Sequence, residues 1–225
     1  MCYSLRTSLF AYSCGLCAAI VALYTKQYAL GMLILFYCHI QLAEAFIWYG
    51  IDNANVAYNR FGTNLAKFTL PLHMFGLCIG IMMSMDTPKE HLFIPLIGLV
   101  FYFVVILIIY PLTDRTSNTS LPADKCLERS CQNLYNRLQW PFKFWWYAIS
   151  VVMMFTLIFY YVRPIQSAVF ITCFLVGTCL FSITLNRKSM GTIWCFASAI
   201  AAPLLVLGNY IILHYGKNHH DGRSP

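Results

Sequence analysis

The residues of this chain best able to do chemistry stand in an apolar setting. Glu44 is the only carboxylate in GMLILFYCHIQLAEAFIWYGI, residues 31–51, and no other long apolar stretch holds one well inside it. An ionised carboxylate at bilayer depth costs roughly 2.5–3.5 kcal/mol or more on insertion scales, so Glu44 must face protein or water and find a partner. At 100° per residue, Tyr37, Gln41, Glu44 and Trp48 fall within about 60° of one another and form a polar and aromatic stripe. That stripe is expected to face the interior of a helical bundle. His39 lies about 140° away on the same helix and is expected to contact another neighbour or to snorkel.

The next apolar stretch supplies the natural partner, because a short loop joins the two and should pack them antiparallel. Asn64, Lys67, Pro71, Met74 and Cys78 share a broad face there. Lys67 lies one turn inside its end and Glu44 two turns inside the facing end, so an ion pair between them is the expected contact. In the alternative, Lys67 snorkels to the interface and Glu44 is protonated or hydrogen-bonded to a neighbouring hydroxyl. His73 lies deeper, near mid-membrane. Gln41, Glu44, Lys67 and His73 together form the expected ligand- or ion-binding site. His39 and His73 at similar depth also suggest a bis-imidazole haem site. Against it, His73 is about 120° from Lys67, so both pairs meet across one interface only if the helix kinks at Pro71. No second histidine pair follows, and no cofactor or metal is expected.

These residues need membrane helices to position them. Of 225 residues 60% are hydrophobic and only 10% charged, where a soluble domain carries roughly 25% charged residues. Apolar runs long enough to cross a hydrocarbon core of roughly 30 Å recur along the chain, without the period-2 alternation of barrel strands. The expected fold is all-α, a polytopic integral membrane protein with seven transmembrane helices in one bundle. The spans fall at about 8–25, 28–50, 64–85, 91–113, 142–162, 166–185 and 191–214. Punctuation agrees: Asp52, Asn53 and Asn55 end the second span, Asp86 to Lys89 the third, Arg163 with Pro164 the fifth, and Arg187 with Lys188 the sixth. Arg6 ahead of the first run imitates a signal peptide, but the segment reads as a retained span.

Seven spans put the termini on opposite sides of the lipid bilayer. Basic residues are nearly balanced between the sides, so residues 114–140, an extramembrane loop, decide the orientation. Cys126 with Cys131, and the sequon at Asn118, Thr119 and Ser120, suit an oxidising lumen as a disulfide and a glycosylation site. That favours an outside or lumenal N-terminus against the raw charge count. The alternative is a short interfacial helix with Leu127, Cys131, Leu134 and Leu138 on its apolar face, where cysteines five apart diverge and do not bond.

Other intramembrane features are packing signals. Gly76 with Gly80, and Cys173 with Gly177, form small-xxx-small patches that allow close helix approach. On the seventh span Trp194, Ser198, Ala201, Leu205 and Gly208 make a stripe interrupted by Pro203, where a kink or cavity is expected. Trp140, Trp145, Trp146 and Tyr147 resemble an interfacial belt. The parts of known enzymes and receptors are missing: no lysine in the last span for a retinal Schiff base, no three-histidine cluster for a zinc amidohydrolase, no phosphate loop, no nucleophile elbow. The reading leans away from an enzyme.

The chain resembles an uncharacterised family of seven-helix membrane proteins encoded by large DNA viruses and some protists. The matching features are Glu44 followed by Phe46 and Trp48, Leu72 with His73, the cysteine-bearing fourth connection, and Trp194 with Cys195. Where the family has a glutamine a few residues after the histidine, this chain has Leu77. The resemblance implies the fold and a viral origin, and implies no activity. Two function classes follow. One is a small-molecule or ion transporter, channel or sensor with its polar site around Glu44. The other is a structural or interaction protein of a viral or organellar membrane, self-associating or bound to another membrane protein. The net charge of +7 is scattered over both sides without a polybasic block and does not suggest a nucleic-acid partner.

Overall fold

The computed structural model describes residues 4–70, 72–84, 93–104, 119, 121–122, 138–139, 145–185 and 190–221. Eight α-helices run through these residues: α1 Leu5–Tyr24, α2 Tyr28–Asp52, α3 Val56–Thr69, α4 Leu72–Met83, α5 Phe93–Val104, α6 Trp145–Tyr161, α7 Ile165–Leu185 and α8 Met190–Asp221. A two-residue antiparallel pairing joins β1 Leu121–Pro122 to β2 Leu138–Gln139. Four helices are long and apolar enough to cross a membrane: α1, α2, α7 and, within α8, Ile193–His214. The bent pair α3 and α4 brings the number to five if it is one span. The architecture is therefore all-helical, with four or five membrane-compatible crossings. Helices α5 and α6 cover 12 and 17 residues, and each borders residues outside the described set.

The helix expected from about 64 begins instead at Val56. The polar run AYNRFGTN reads as a loop by hydropathy, yet Asn55 caps it: its Oδ1 accepts from the amides of Ala57 and Tyr58 at 3.0 and 3.3 Å. Asn59 and Thr63 are then buried in the α2 interface, so tertiary burial outweighs the low apolar content. The chain bends by 45° between α3 and α4, where the sequence carries Pro71, a residue without an amide for the helical ladder.

Helix α2 is the central element, packed by α1, α3, α4 and α8. Its contacts with α3 and α4 are backbone to backbone at glycines. A Cβ on Gly62 would stand 2.6 Å from the Ala43 carbonyl oxygen, and one on Gly76 2.6 Å from that of Met32. The expected close approach at Gly76 and Gly80 is thus present. The patch at Cys173 and Gly177 differs: Cys173 is exposed, and a Cβ on Gly177 would meet nothing within 4 Å among the described residues.

Apolar side chains fill the half of the bundle nearest the α1–α2 turn. Leu30, Leu33 and Ile34 pack there with Leu77, Ile81, Ile158, Ile171 and Leu205. Large apolar side chains such as Phe10, Ile20, Val152, Leu180 and Leu204 point outward, as a lipid-facing surface requires.

Candidate functional site

The other half of the bundle is polar inside. Tyr37, Gln41, Glu44 and Trp48 are all buried on α2, with Gln41 and Glu44 at 0% exposure. Lys67 on α3 is 7% exposed and His73 on α4 is 2% exposed. All four residues expected to form the site therefore lie inside the bundle, contributed by three successive helices. Lys67 and His73 are both buried, on either side of the 45° bend between α3 and α4.

The register follows from the glycine contacts. Gly62 meets Ala43 and Ile47, which places Thr63 in the layer of Glu44 and Lys67 in the layer of Gln41. Thr63 Oγ1 donates to Asn59 Oδ1 at 3.2 Å. Gly15 on α1 meets Cys38, with its would-be Cβ 2.6 Å from that of Cys38. Ser8 then falls level with Ala45.

At the inner end of the stripe, Tyr37 is a junction. Its ring lies against the His73 imidazole, centroids 4.6 Å apart. Its hydroxyl donates to the Trp194 carbonyl oxygen at 3.1 Å and also bonds the Cys195 side chain, which lies within electrostatic reach of Glu44. The Trp194 indole Nε1 donates to the Leu175 carbonyl and to Thr178 Oγ1, each at 3.1 Å. Thr178 and Ser198 hydroxyls share a 3.0 Å bond. Hydropathy gave no sign of this α2–α7–α8 network, since Thr178 reads as an ordinary helix hydroxyl. The cavity beside it, about 20 Å³, is lined by Tyr37, Trp194 and Ser198 among apolar neighbours such as Leu33 and Leu205, and not by Gln41 or Glu44. It accommodates about one water molecule.

His39 lies elsewhere, as expected. It meets Tyr12 of α1 edge-on at 5.5 Å, and the Leu35 carbonyl oxygen accepts from its Nδ1 at 2.6 Å. The two mid-depth histidines thus face different helices, and the pair does not assemble into bis-imidazole ligands. No group of three or more metal-ligating side chains occurs among the described residues.

The expected stripe on α8 is largely present. Trp194, Ser198 and Leu205 are buried, a Cβ on Gly208 would stand 2.5 Å from the Phe170 ring, and Ala202, Val206 and Asn209 broaden the buried face. Asn209 Nδ2 donates to Gln27 Oε1 at 2.7 Å, and Gln27 Nε2 donates to Thr25 Oγ1 at 2.9 Å. This buried clamp ties the α1–α2 turn to α8 at the far end of the bundle.

Cys126, Cys131 and Asn118, with most of the fourth connection, lie outside the described residues. Leu138, expected on the apolar face of an interfacial helix, is instead in the extended pairing, fully buried against Ile47 and Trp48. It covers the outer end of the α2 stripe. Comparison with protein-family models, with curated proteins and with solved structures returns no match for this chain.

Proposed function

We propose that this protein is a multi-pass membrane transporter, channel or sensor for a small ion or a proton, with Gln41, Glu44, Lys67 and His73 as its intramembrane site. One observation carries the reading: an acid, an amine and an imidazole, from α2, α3 and α4, are all buried within one polar half of a bundle of membrane-compatible helices. Ionisable groups there are costly, and they commonly mark ion or proton pathways. The tight packing narrows the cargo. Glu44 is fully buried and the cavity at Tyr37 holds about one water molecule, which favours a cargo the size of an ion or a proton.

The proposal includes seven spans, with α3 and α4 as one bent crossing and α5 and α6 as parts of two more. It includes an outside or lumenal N-terminus, a direct Glu44 to Lys67 ion pair, and kinship with the seven-helix viral family. The eight described helices reduce to seven rods once α3 and α4 are joined.

A second reading has its own observation. In a structural or interaction protein of a viral or organellar membrane, the stripe would only specify helix packing, and a cavity that does not reach Glu44 favours this. Reconstitution into liposomes with a pH-reporting dye inside separates the two. Under the first reading an imposed pH or cation gradient drives flux, and Glu44→Gln abolishes it with the protein still folded and monodisperse. Under the second, wild type carries no flux, Glu44→Gln misfolds, and adding Lys67→Met restores the fold.

A further inference from the structure

We infer that Glu44 exchanges its proton with the water at the α2–α3 turn, along a ladder formed by Thr63 and Asn59, and not through the mainly apolar half of the bundle on its other side. This rests on the reading of Glu44 as a proton-handling centre, and adds the route and the side.

The ladder follows from the spacing on α3. Asn59, Thr63 and Lys67 stand at i, i+4 and i+8, one face of a helix. All three are buried, at 8%, 0% and 7% exposure, in the interface with α2. Thr63 lies in the layer of Glu44 by the Gly62 contact, and Asn59 lies beside Gly50 near the end of α2. The 3.2 Å bond from Thr63 to Asn59 links the two rungs. Just beyond, Asp52, Asn53, Asn55 and Arg60 are exposed.

Two further groups mark the same end. Trp48 Nε1 and Ser8 Oγ are buried and have no hydrogen-bond partner among the described residues. Ser8 comes from α1 at the level of Ala45, and Trp48 lies one turn beyond Glu44 on its own stripe. Buried donors are ordinarily satisfied, and a proton-bearing water passing this layer would serve both. The other titratable groups buried in this half of the bundle are Lys67 on α3, His73 on α4, Tyr37 on α2 and Cys195 on α8, of which Cys195 interacts electrostatically with Glu44.

In the other direction Ser167 Oγ and Thr172 Oγ1 on α7 and Asn209 Oδ1 on α8 are also buried without a hydrogen-bond partner among the described residues, but α2 itself buries no polar side chain between Gln27 and Tyr37. Below Tyr37, α2 presents Ile34, Leu33 and Leu30 to Met74, Leu77 and Ile81. The next buried polar side chain along α2 in that direction is Gln27, held in its clamp with Asn209. In the transfer itself, the Thr63 hydroxyl turns from Asn59 Oδ1, gives its proton to the Glu44 carboxylate and in the same step takes a replacement from water positioned by Asn59. Thr63 ends unchanged, Glu44 ends neutral, and one proton has left the bulk.

The test is a pH-jump infrared measurement on the full chain in lipid nanodiscs, where buffer reaches both faces. The carboxyl band belonging to Glu44 is the one lost in Glu44→Gln. Thr63→Val should slow its protonation about tenfold, the effect of removing one buried hydrogen-bonding group, with Thr63→Ser near wild type. Asn209→Leu, at the other end, should leave the rate unchanged. Should Thr63→Val fail to fold, Asn59→Ala carries the same comparison. A wild-type rate in Thr63→Val or Asn59→Ala, or equal slowing by Asn209→Leu, overturns the route. A wild-type protein with no Glu44 band responding to the jump overturns the proton-handling reading itself, and the route with it.

Discussion

Tyr37 and His73 meet ring to ring across the α2–α4 interface, 4.6 Å between centroids and 40° between planes. The Tyr37 hydroxyl points on to the Trp194 carbonyl oxygen at 3.1 Å. One side chain therefore joins three helices, with its ring on α4 and its hydroxyl on α8. The two functions of the side chain separate by mutation. Tyr37→Phe keeps the ring contact and should cost about 1–3 kcal/mol, because it removes a buried hydrogen-bonding group. Tyr37→Ala also leaves a cavity and should cost about 3–5 kcal/mol. Unfolding in mild detergent, followed by Trp fluorescence, ranks the two, and equal losses would mean that the hydroxyl carries the whole effect.

The Glu44 to Lys67 pairing within the proposed site has a thermodynamic signature. Removing one member of a buried pair strands the other charge and costs about 3–5 kcal/mol, whereas removing both is far milder. Lys67→Met alone should therefore destabilise strongly, and Glu44→Gln with Lys67→Met should recover most of the loss. A double-mutant cycle with coupling of about 0.5–3 kcal/mol fits direct contact. Additive effects would place the two groups in separate environments.

Much of this arrangement could be read before any coordinates, because the α2 stripe obeys a simple periodicity. Tyr37, Gln41, Glu44 and Trp48 are all buried, and His39 faces away toward Tyr12. The misreadings share a cause. Val56 to Thr63 reads as a loop by hydropathy, which scores composition and cannot see that Asn59 and Thr63 are buried against Gly50 and the Ala43 layer. The same blindness hid the Trp194, Thr178 and Ser198 network, whose partners lie on different helices. On α8 the expected stripe holds across Pro203, with Leu205 buried and Gly208 against Phe170, while Val206 and Asn209 widen it. Small-residue spacing identified a real approach at Gly76 and Gly80 and an empty one at Gly177, since spacing does not say whether a neighbour is present.

That last contrast gives a paired prediction. Gly62→Ala puts a methyl group 2.6 Å from a backbone oxygen and 2.8 Å from the Ile47 amide nitrogen, so α3 must move off α2. Overpacking of this kind costs about 1–3 kcal/mol. Gly177→Ala meets nothing within 4 Å and replaces the poorer helix former, so it should be neutral or stabilise by up to about 1 kcal/mol. Melting temperatures of the two variants in the same detergent are the comparison, and a destabilised Gly177→Ala would mean that another surface packs on α7 there.

The clamp between Gln27 and Asn209 makes the final prediction, because it is remote from Glu44 and should be separable from it. Asn209 Nδ2 donates to Gln27 Oε1 at 2.7 Å, and both side chains are buried at the far end of the bundle. Asn209→Leu leaves the Gln27 oxygen without its donor and should cost about 1–3 kcal/mol. Gln27→Leu with Asn209→Leu removes both partners and should cost less than either single change, since two apolar side chains of similar size satisfy each other. Beyond Pro203, the clamp and the packing of Leu205 and Val206 are what hold the end of α8 to the α1–α2 turn. Its loss should accordingly raise amide hydrogen exchange in the residues after Pro203 and leave α2 around Glu44 protected. Equal loss of protection at both ends would show instead that the bundle opens as one unit, so that its polar and apolar halves are not mechanically distinct.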